Sequence, residues 1–450
     1  FTDTIKAACG LADPNAVWGM TQAAPELVHW LLKLGVKFNM SGYDDVDLRN
    51  FGGQKKKRTA FAQSDTGKQI MTAMIDAVRR KEASGMVERF SHHSFLTLRL
   101  CGNICCGCVI RDEYSQETVE LPGDAVIVAT GGMHGLFGNT TGSLSNTGEV
   151  TAELFRLGVP LANGEMIQYH PTTVKCGGKR MLISEAARGE GGRLFAMKDG
   201  KQWYFMEEKY PELGNLMPRD ITAREIWKVS HESEVFLDMT EISEEIISNK
   251  LSGLADDCMT YLHKDIRKEP VSVLPGIHYF MGGILVDEQH RTPIQNLYAA
   301  GECCAQYHGA NRLGGNSLLG ALYGGRVAAK SACEQADVVD LSCATQIDFP
   351  PASQISEIKQ LNKVMQETMG VVRNENTLLN GIQTVQALTG NLPLLGMAVL
   401  KSALARKESR GAHWREDYPK SNDNDYLKTT VARFDGKQIQ ISFVPVPERR

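Results

Sequence analysis

The chain has 450 residues, 42% of them hydrophobic and 23% charged, with a formal net charge of -4. That length allows about three domains and a sizeable core, and the slightly acidic balance excludes nucleic acid as the main partner. No run of eighteen apolar residues occurs, so the sequence predicts no membrane span. Eleven cysteines, several inside apolar strand-like runs, fit a reducing, cytoplasmic setting better than a disulfide framework.

In chain order, residues 14–34 have helical spacing, with Trp18, Met20, Val28, Leu31 and Leu32 among the apolar positions. KKKR at 55–58 is a charge run, which predicts a solvated loop. Residues 68–79 form a second amphipathic helix. SFLTLRLC, a Gly102-Asn103 turn and ICCGCVI predict a hairpin. On its second strand Cys105 and Cys108 point to opposite faces, so the Cys101–Cys108 cluster predicts buried small residues and no metal site. DAVIVATGG (124–132) is a continuous apolar run ending in glycines, the mark of a strand buried on both faces. NLYAAGE (296–302) repeats that logic, and Cys303 and Cys304 follow it. Residues 165–285 are mixed. After about residue 345 the pattern turns helical, and the last thirty or so residues are of mixed polar and charged composition.

The stretch YHGANRLGGNSLLGALYGGR (307–326) is rich in glycine, which costs about 1 kcal/mol per residue inside a helix. A helix capped by Asn316 or Ser317 is expected here, apolar over most of its circumference and therefore buried. Its N-terminus would present free N–H groups to an anionic oxygen, such as the pyrimidine edge of a reduced flavin. G-x-G-x-x-G occurs nowhere, yet ATGG and AAGE after strands are what a dinucleotide fold shows at its later strands. Phe1 is not an initiator Met and no signal-peptide pattern follows it, so the first strand and phosphate loop are expected upstream of Phe1.

Nine segments in order, RNFGGQKKKRTAFAQSDTG, AVIVATGG, IQYHPT, SEAARGEGG, MPRD, HYFMGGI, LYAAGE, HGANRLGGNSLLGALYGGR and ESRGAHWREDYP, carry a family resemblance. The chain resembles the flavoprotein subunit of the fumarate reductase and succinate dehydrogenase family, which also contains L-aspartate oxidase. The resemblance implies an α/β fold: a Rossmann-like FAD-binding domain (1–164 and 286–345) lacking its N-terminal part, an inserted α+β capping domain (165–285), and a C-terminal helical domain and tail (346–450). It implies FAD, covalently held in some members, and a catalytic role interconverting fumarate and succinate within an electron-transfer complex. It further implies an iron–sulfur partner subunit, a membrane anchor in some complexes, and a cytoplasmic location, peripheral on the inner face of the membrane where partners anchor it.

Reducing an unsaturated dicarboxylate needs clamps for two carboxylates, a hydride source and a proton donor. By resemblance, His170, His278 and Arg312 hold the carboxylates, the guanidinium fork suiting bidentate contact. Ser184 stands where the family usually has Thr and keeps a hydroxyl for a carboxylate; Phe51 packs near the substrate. Arg219 is expected to give a proton to the carbon opposite the hydride from flavin N5, with Glu185 and Arg188 relaying its replacement. Ala129, Thr130, Gly131 and Gly132 are expected at the cofactor, with Glu302 on the sugar-alcohol chain and Asn316, Ser317 and Leu318 on the pyrimidine side. NTGEV (146–150) departs from the family's TGDG, so no role is carried to Glu149 or Val150. L-aspartate oxidase is the alternative within the family, although EPVSVLPGIHYFMGGI looks closer to the fumarate reductase branch. A non-catalytic flavin electron-transfer or scaffold subunit is the alternative from another class.

Overall fold

The computed structural model describes every residue except 44, 53, 55, 144, 337–348, 350–353 and 450. Lys55 of the charge run and the expected domain boundary near 345 therefore lie outside the described residues. Lys56, Lys57 and Arg58 are exposed, and Arg58 pairs with Asp3 at 2.5 Å.

The first long helix is Pro14–Leu34: Asp13 caps it by accepting from the N–H groups of Asn15 and Ala16, and Gly35 ends it in the left-handed region at φ 99. Thr66–Ala83 is the second. His93–Cys101 and Ile104–Asp112 form the expected hairpin, and Thr118–Pro122 adds a third strand. Within it Cys105 and Cys106 are buried; burial pushes the Cys105 thiol up to about 11. Among the described residues no group of three or more His, Cys, Asp or Glu is placed to hold a metal ion.

Val126–Val128 pairs in parallel with Leu297–Ala299, joining the two strand-then-glycine segments, which lie far apart in the sequence. One expectation is corrected here: Ile127 is 40% exposed, so the earlier strand is buried on one face only. A five-stranded sheet runs in the order Cys304–Ala305, Gly283–Leu285, Leu161–Ala162, Lys428–Phe434, Ile439–Pro445. Its last two strands come from the polar C-terminal stretch. Exposed side chains interrupt the half-buried ones along Ile439–Pro445, so no continuous apolar run marks that strand in the sequence.

Two large cores hold the molecule. One packs Met133, Leu136, Phe137, Ile167 and Phe280 against the helices Ile355–Thr368, Glu375–Val385 and Asn391–Ala405. The other gathers Ile183, Leu194, Phe205, Ile226, Leu237 and Val271 around a four-stranded antiparallel sheet. Among the described residues no helix is long and apolar enough to cross a membrane.

Candidate active site

The strand Ile167–Cys176 carries His170 and pairs with Leu274–Phe280, which carries His278. Gly276 faces His170 in register, but the register shifts between Ile277 and Tyr279. A bulge adds a residue to one strand and re-aims its side chain; here that residue is His278, and its ring lies 5.2 Å from that of His170. The Thr141 hydroxyl stands 2.8 Å from His278 Nδ1, and a hydroxyl proton donated there leaves the ring hydrogen on Nε2. His170 Nδ1 lies 3.1 Å from the Thr172 carbonyl, while its Nε2 is buried without a partner. Burial, then the surrounding cations, holds both imidazoles well below their usual pKa. An oxyanion placed between them would reverse that field.

Two short helix starts supply the charges. Ser184 caps the helix Glu185–Gly189 by accepting from the Ala186 N–H at 3.2 Å. Arg219 opens the helix Arg219–Val229 after Pro218. Its Nε and Nη2 donate to Glu185 Oε2 at 2.9 and 2.6 Å, and Nη1 donates to Gln168 Oε1 at 3.1 Å. Three of the five guanidinium N–H groups are thus engaged, leaving one on each terminal nitrogen. Glu185 Oε1 accepts from the Gly52 N–H at 2.8 Å, and Arg188 Nη2 stands 3.5 Å away. Burial pushes the Glu185 carboxyl up, but Arg219 and Arg188 outweigh it and hold the group at about 2.

Arg312 is 4% exposed and stacks on Tyr279 with its carbon 4.4 Å from the ring centroid. It makes no ion pair among the described residues, and its Nε is buried without a partner. Burial and then Arg219 push its pKa down to about 9, so it stays cationic at neutral pH. Gln168 Nε2 donates to the Arg312 carbonyl at 2.8 Å and to Asn311 Oδ1 at 2.7 Å, and Asn311 Nδ2 donates to Asp220 at 2.9 Å. A line of neutral amides therefore ties the two arginine segments together.

His170, Ser184, Glu185, Arg219, His278, Arg312 and Phe51 all line one cavity of about 1020 Å³, as do Asn316, Ser317 and Leu318. Arg188 lies behind Glu185, its side chain fully buried. Ala129, Thr130, Gly131, Gly132 and Glu302 are not among the lining residues; they form a second group. A Cβ on Gly132 would fall 2.7 Å from Glu302 Oε1, and that oxygen accepts from the Phe280 N–H at 3.0 Å. Cys303 and Cys304 donate to nearby backbone carbonyls, including those of Ala300 and Gly301.

The glycine-rich helix, Asn316–Gln335, differs from expectation in two ways. Its N-cap is Gly315, at φ 87, with no side-chain cap bond; Asn316 instead donates to the Thr4 hydroxyl at 2.9 Å. Only the stripe Gly320, Gly324, Ala328 and Ser331 is buried, where an added Cβ would meet His308 or Tyr307 at 3.3 Å (Gly320) and His290 at 2.7 Å (Gly324). Gly315 lines the cavity, and a Cβ on its neighbour Gly314 would fall 2.7 Å from that of Phe51. A flat ring fits this uncapped helix end, because first-turn N–H groups need an outside acceptor. Ser317 and Leu318 carry such N–H groups, whereas the Asn316 N–H already donates to the Leu313 carbonyl at 3.2 Å.

Gln168, Asn311 and Thr141 were not anticipated. Gln168 had a signal, since it lies two residues before His170 and so shares its face of the strand; Thr141, in a loop, had none.

A model described as "FAD binding domain" matches residues 1–318, and one described as "Fumarate reductase flavoprotein C-term" matches residues 388–449. The chain is 35% identical to the succinate dehydrogenase flavoprotein subunit of Bacillus subtilis, covering 100% of this chain and 87% of that protein. It is 33% identical to the L-aspartate oxidase of Pyrococcus furiosus, covering 96% and 86%. A solved E. coli quinol fumarate reductase chain superposes with a TM-score of 0.89 at 26% identity, covering 99% of this chain and 86% of that one. The chain is an FAD-dependent oxidoreductase and belongs to the family of fumarate reductase and succinate dehydrogenase flavoprotein subunits.

Proposed function

We propose that the chain is the catalytic flavoprotein subunit of a complex that interconverts fumarate and succinate. The observation that carries this reading is the convergence of Arg219, Arg312, His170 and His278 on one cavity, with Arg312 lacking any counter-ion among the described residues. A small dianion satisfies what the protein leaves open there. Arg188, Arg219 and Arg312 set against Glu185 leave two positive charges, matching two carboxylates.

FAD, when bound, supplies or accepts the hydride at one face of the carbon–carbon bond. Arg312 binds one carboxylate through its free Nε–H and terminal N–H groups. His278 binds through its Nε2–H, whereas His170, whose Nδ1–H faces the Thr172 carbonyl, binds through Nε2 once the field of the dianion has protonated its ring. Ser184 keeps its hydroxyl proton for the same anion, since its oxygen already accepts as a cap. Arg219 holds the transferable proton on a terminal nitrogen that bears one free N–H. A guanidinium is a weak acid in water, and a strongly basic carbanion centre is what draws its proton. Glu185, an ionised carboxylate bonded to Nε and Nη2, takes a proton from Arg188 and passes it to Arg219, and Arg188 recovers its own from bulk water. Phe51 closes the wall beside Gly314 and keeps water from the Glu185–Arg219 pair.

Aspartate fits less well, because its ammonium would meet three guanidinium groups with Glu185 already committed. An iron–sulfur subunit as electron partner, membrane attachment through it, and a cytoplasmic location complete the proposal. Assaying FAD-loaded protein with fumarate, succinate and aspartate tests it: turnover of the first two supports it, and turnover of aspartate alone overturns it.

A further inference from the structure

Arg49 is 7% exposed, and its guanidinium carbon lies 4.1 Å from the ring centroid of Phe61 and 5.6 Å from that of Phe51. Nη2 donates to the Gln63 carbonyl. Nε and Nη1 are buried without a hydrogen-bond partner, and no ion pair reaches the group among the described residues. Burial pushes its pKa down to about 10, against Glu190 and Asp47, so it stays charged at neutral pH. Neither carboxylate answers it: Glu190 is held by Lys250 at 3.2 Å, and Asp47 accepts from the Leu48 N–H at 2.8 Å. A buried cation left unpaired is strongly unfavourable.

The residue after Gln63 is Ser64, whose hydroxyl is also buried and without a partner. Thr66 and Gly67 then open the 18-residue helix Thr66–Ala83, whose N-cap, Asp65, makes no side-chain cap bond. The Ser64 hydroxyl and the Asp65 carboxylate both sit toward Gly253, where an added Cβ would be 2.6 Å from Ser64 Oγ and 3.0 Å from Asp65 Oδ1. Arg49, Ser64, Thr66 and Gly67 all line the large cavity, and Phe51 stands between them and Glu185, both of which contact the Gly314 position. The charges at the Arg219 end already balance one dicarboxylate, so Arg49 is surplus to it.

We propose that Arg49, Ser64 and the first-turn amides of Thr66–Ala83 form a second carboxylate-binding site, across Phe51 from the first. The Nε–H and Nη1–H groups of Arg49, a hydroxyl and helix N–H groups are donors without acceptors, which selects a small oxyanion. A dicarboxylate held there is one aromatic ring away from the reacting position, a place to wait before entry or after release. The second site rests on its own residues and does not require the first to be catalytic.

The test is a calorimetric titration of FAD-loaded protein with malonate at fixed ionic strength, run beside flavin absorbance. Two steps are expected: one that fumarate competes for and that perturbs the flavin spectrum, and a weaker one that leaves the spectrum unchanged. Arg49→Met should remove only the second step, leaving the first within about threefold, and Arg49→Lys should keep the second weakened about tenfold. Ser64→Ala should weaken it in the same direction. If Arg49→Met does not fold, an unchanged second step in both Arg49→Lys and Ser64→Ala overturns the proposal. A single step in the wild type, two steps surviving in Arg49→Met, or loss of flavin from the Arg49 variants also overturns it. A missing first step with the second intact would sink the dicarboxylate reading of the Arg312 end and leave this site standing.

Discussion

Replacing Arg219 by Ala removes the only guanidinium among the described residues that touches both Glu185 and Gln168. Fumarate turnover should fall by about 10²–10⁴-fold, the range expected for loss of a general acid, while FAD content stays at the wild-type level. Thr141 acts one step further out, by holding the His278 ring. Thr141→Val should lower kcat/KM for fumarate and displace its pH profile, whereas Thr141→Ser should restore both; equal loss in the two variants would count against a positioning role. At this scale the sequence was most legible where a side chain sits in a spaced motif. Glu185 and Arg188 share a helix face, and Arg219 opens a helix after a proline. Thr141 was invisible because its partner His278 lies 137 residues away, whereas Arg49 stood inside a family motif but nothing local marked its guanidinium as unpaired.

The glycine-rich helix owes its composition to where it lies. Gly315 lies on the cavity wall, but Gly320 and Gly324 let the helix lie against His308 and His290. His290 cannot move aside easily, since it is held by the Ala299 carbonyl at 2.7 Å and by the Tyr307 hydroxyl. Gly324→Ala should therefore lower the thermal midpoint. Gly325→Ala, where an added Cβ meets nothing within 4 Å, should raise stability by about 0.5–1 kcal/mol through helix propensity. Denaturant melts of the two variants check the pair of signs. Helix positions were read well because 3.6-residue spacing is local, although the cap of the glycine-rich helix was misplaced onto Asn316 or Ser317. The bulge that turns His278 toward His170 was not, because a register shift is a property of two strands distant in sequence.

Across the whole molecule, buried charge joins regions that the sequence could not pair. Arg406 is fully buried and bonds Glu165 at 2.7 Å, Glu408 at 2.8 Å and the Thr430 hydroxyl at 2.7 Å, tying the C-terminal hairpin to the segment before His170. Next to it His413 accepts from Arg373 at Nδ1 and donates from Nε2 to the Arg406 carbonyl as a neutral ring, its pKa held well down by burial and by Arg373. His170, His278 and His308 are lowered for the same first reason, the last to about 3. A lowered imidazole means that the unfolded chain binds more protons below its ordinary 6.5, so stability drops as pH falls through that value. Glu185, depressed from 4.5 to about 2, adds a loss over that lower window. The thermal midpoint should thus fall from about pH 7.5 to about pH 5, and His308→Gln should shallow the slope. The measurement that bears most directly on the central claim is single-turnover stopped flow, in which anaerobically reduced, FAD-loaded protein is mixed with fumarate. The account predicts rapid return of the oxidised flavin absorbance in the wild type and its near-abolition in Arg219→Ala at equal flavin content. Equal rates in the two proteins, or no response of the wild type to fumarate, would contradict it.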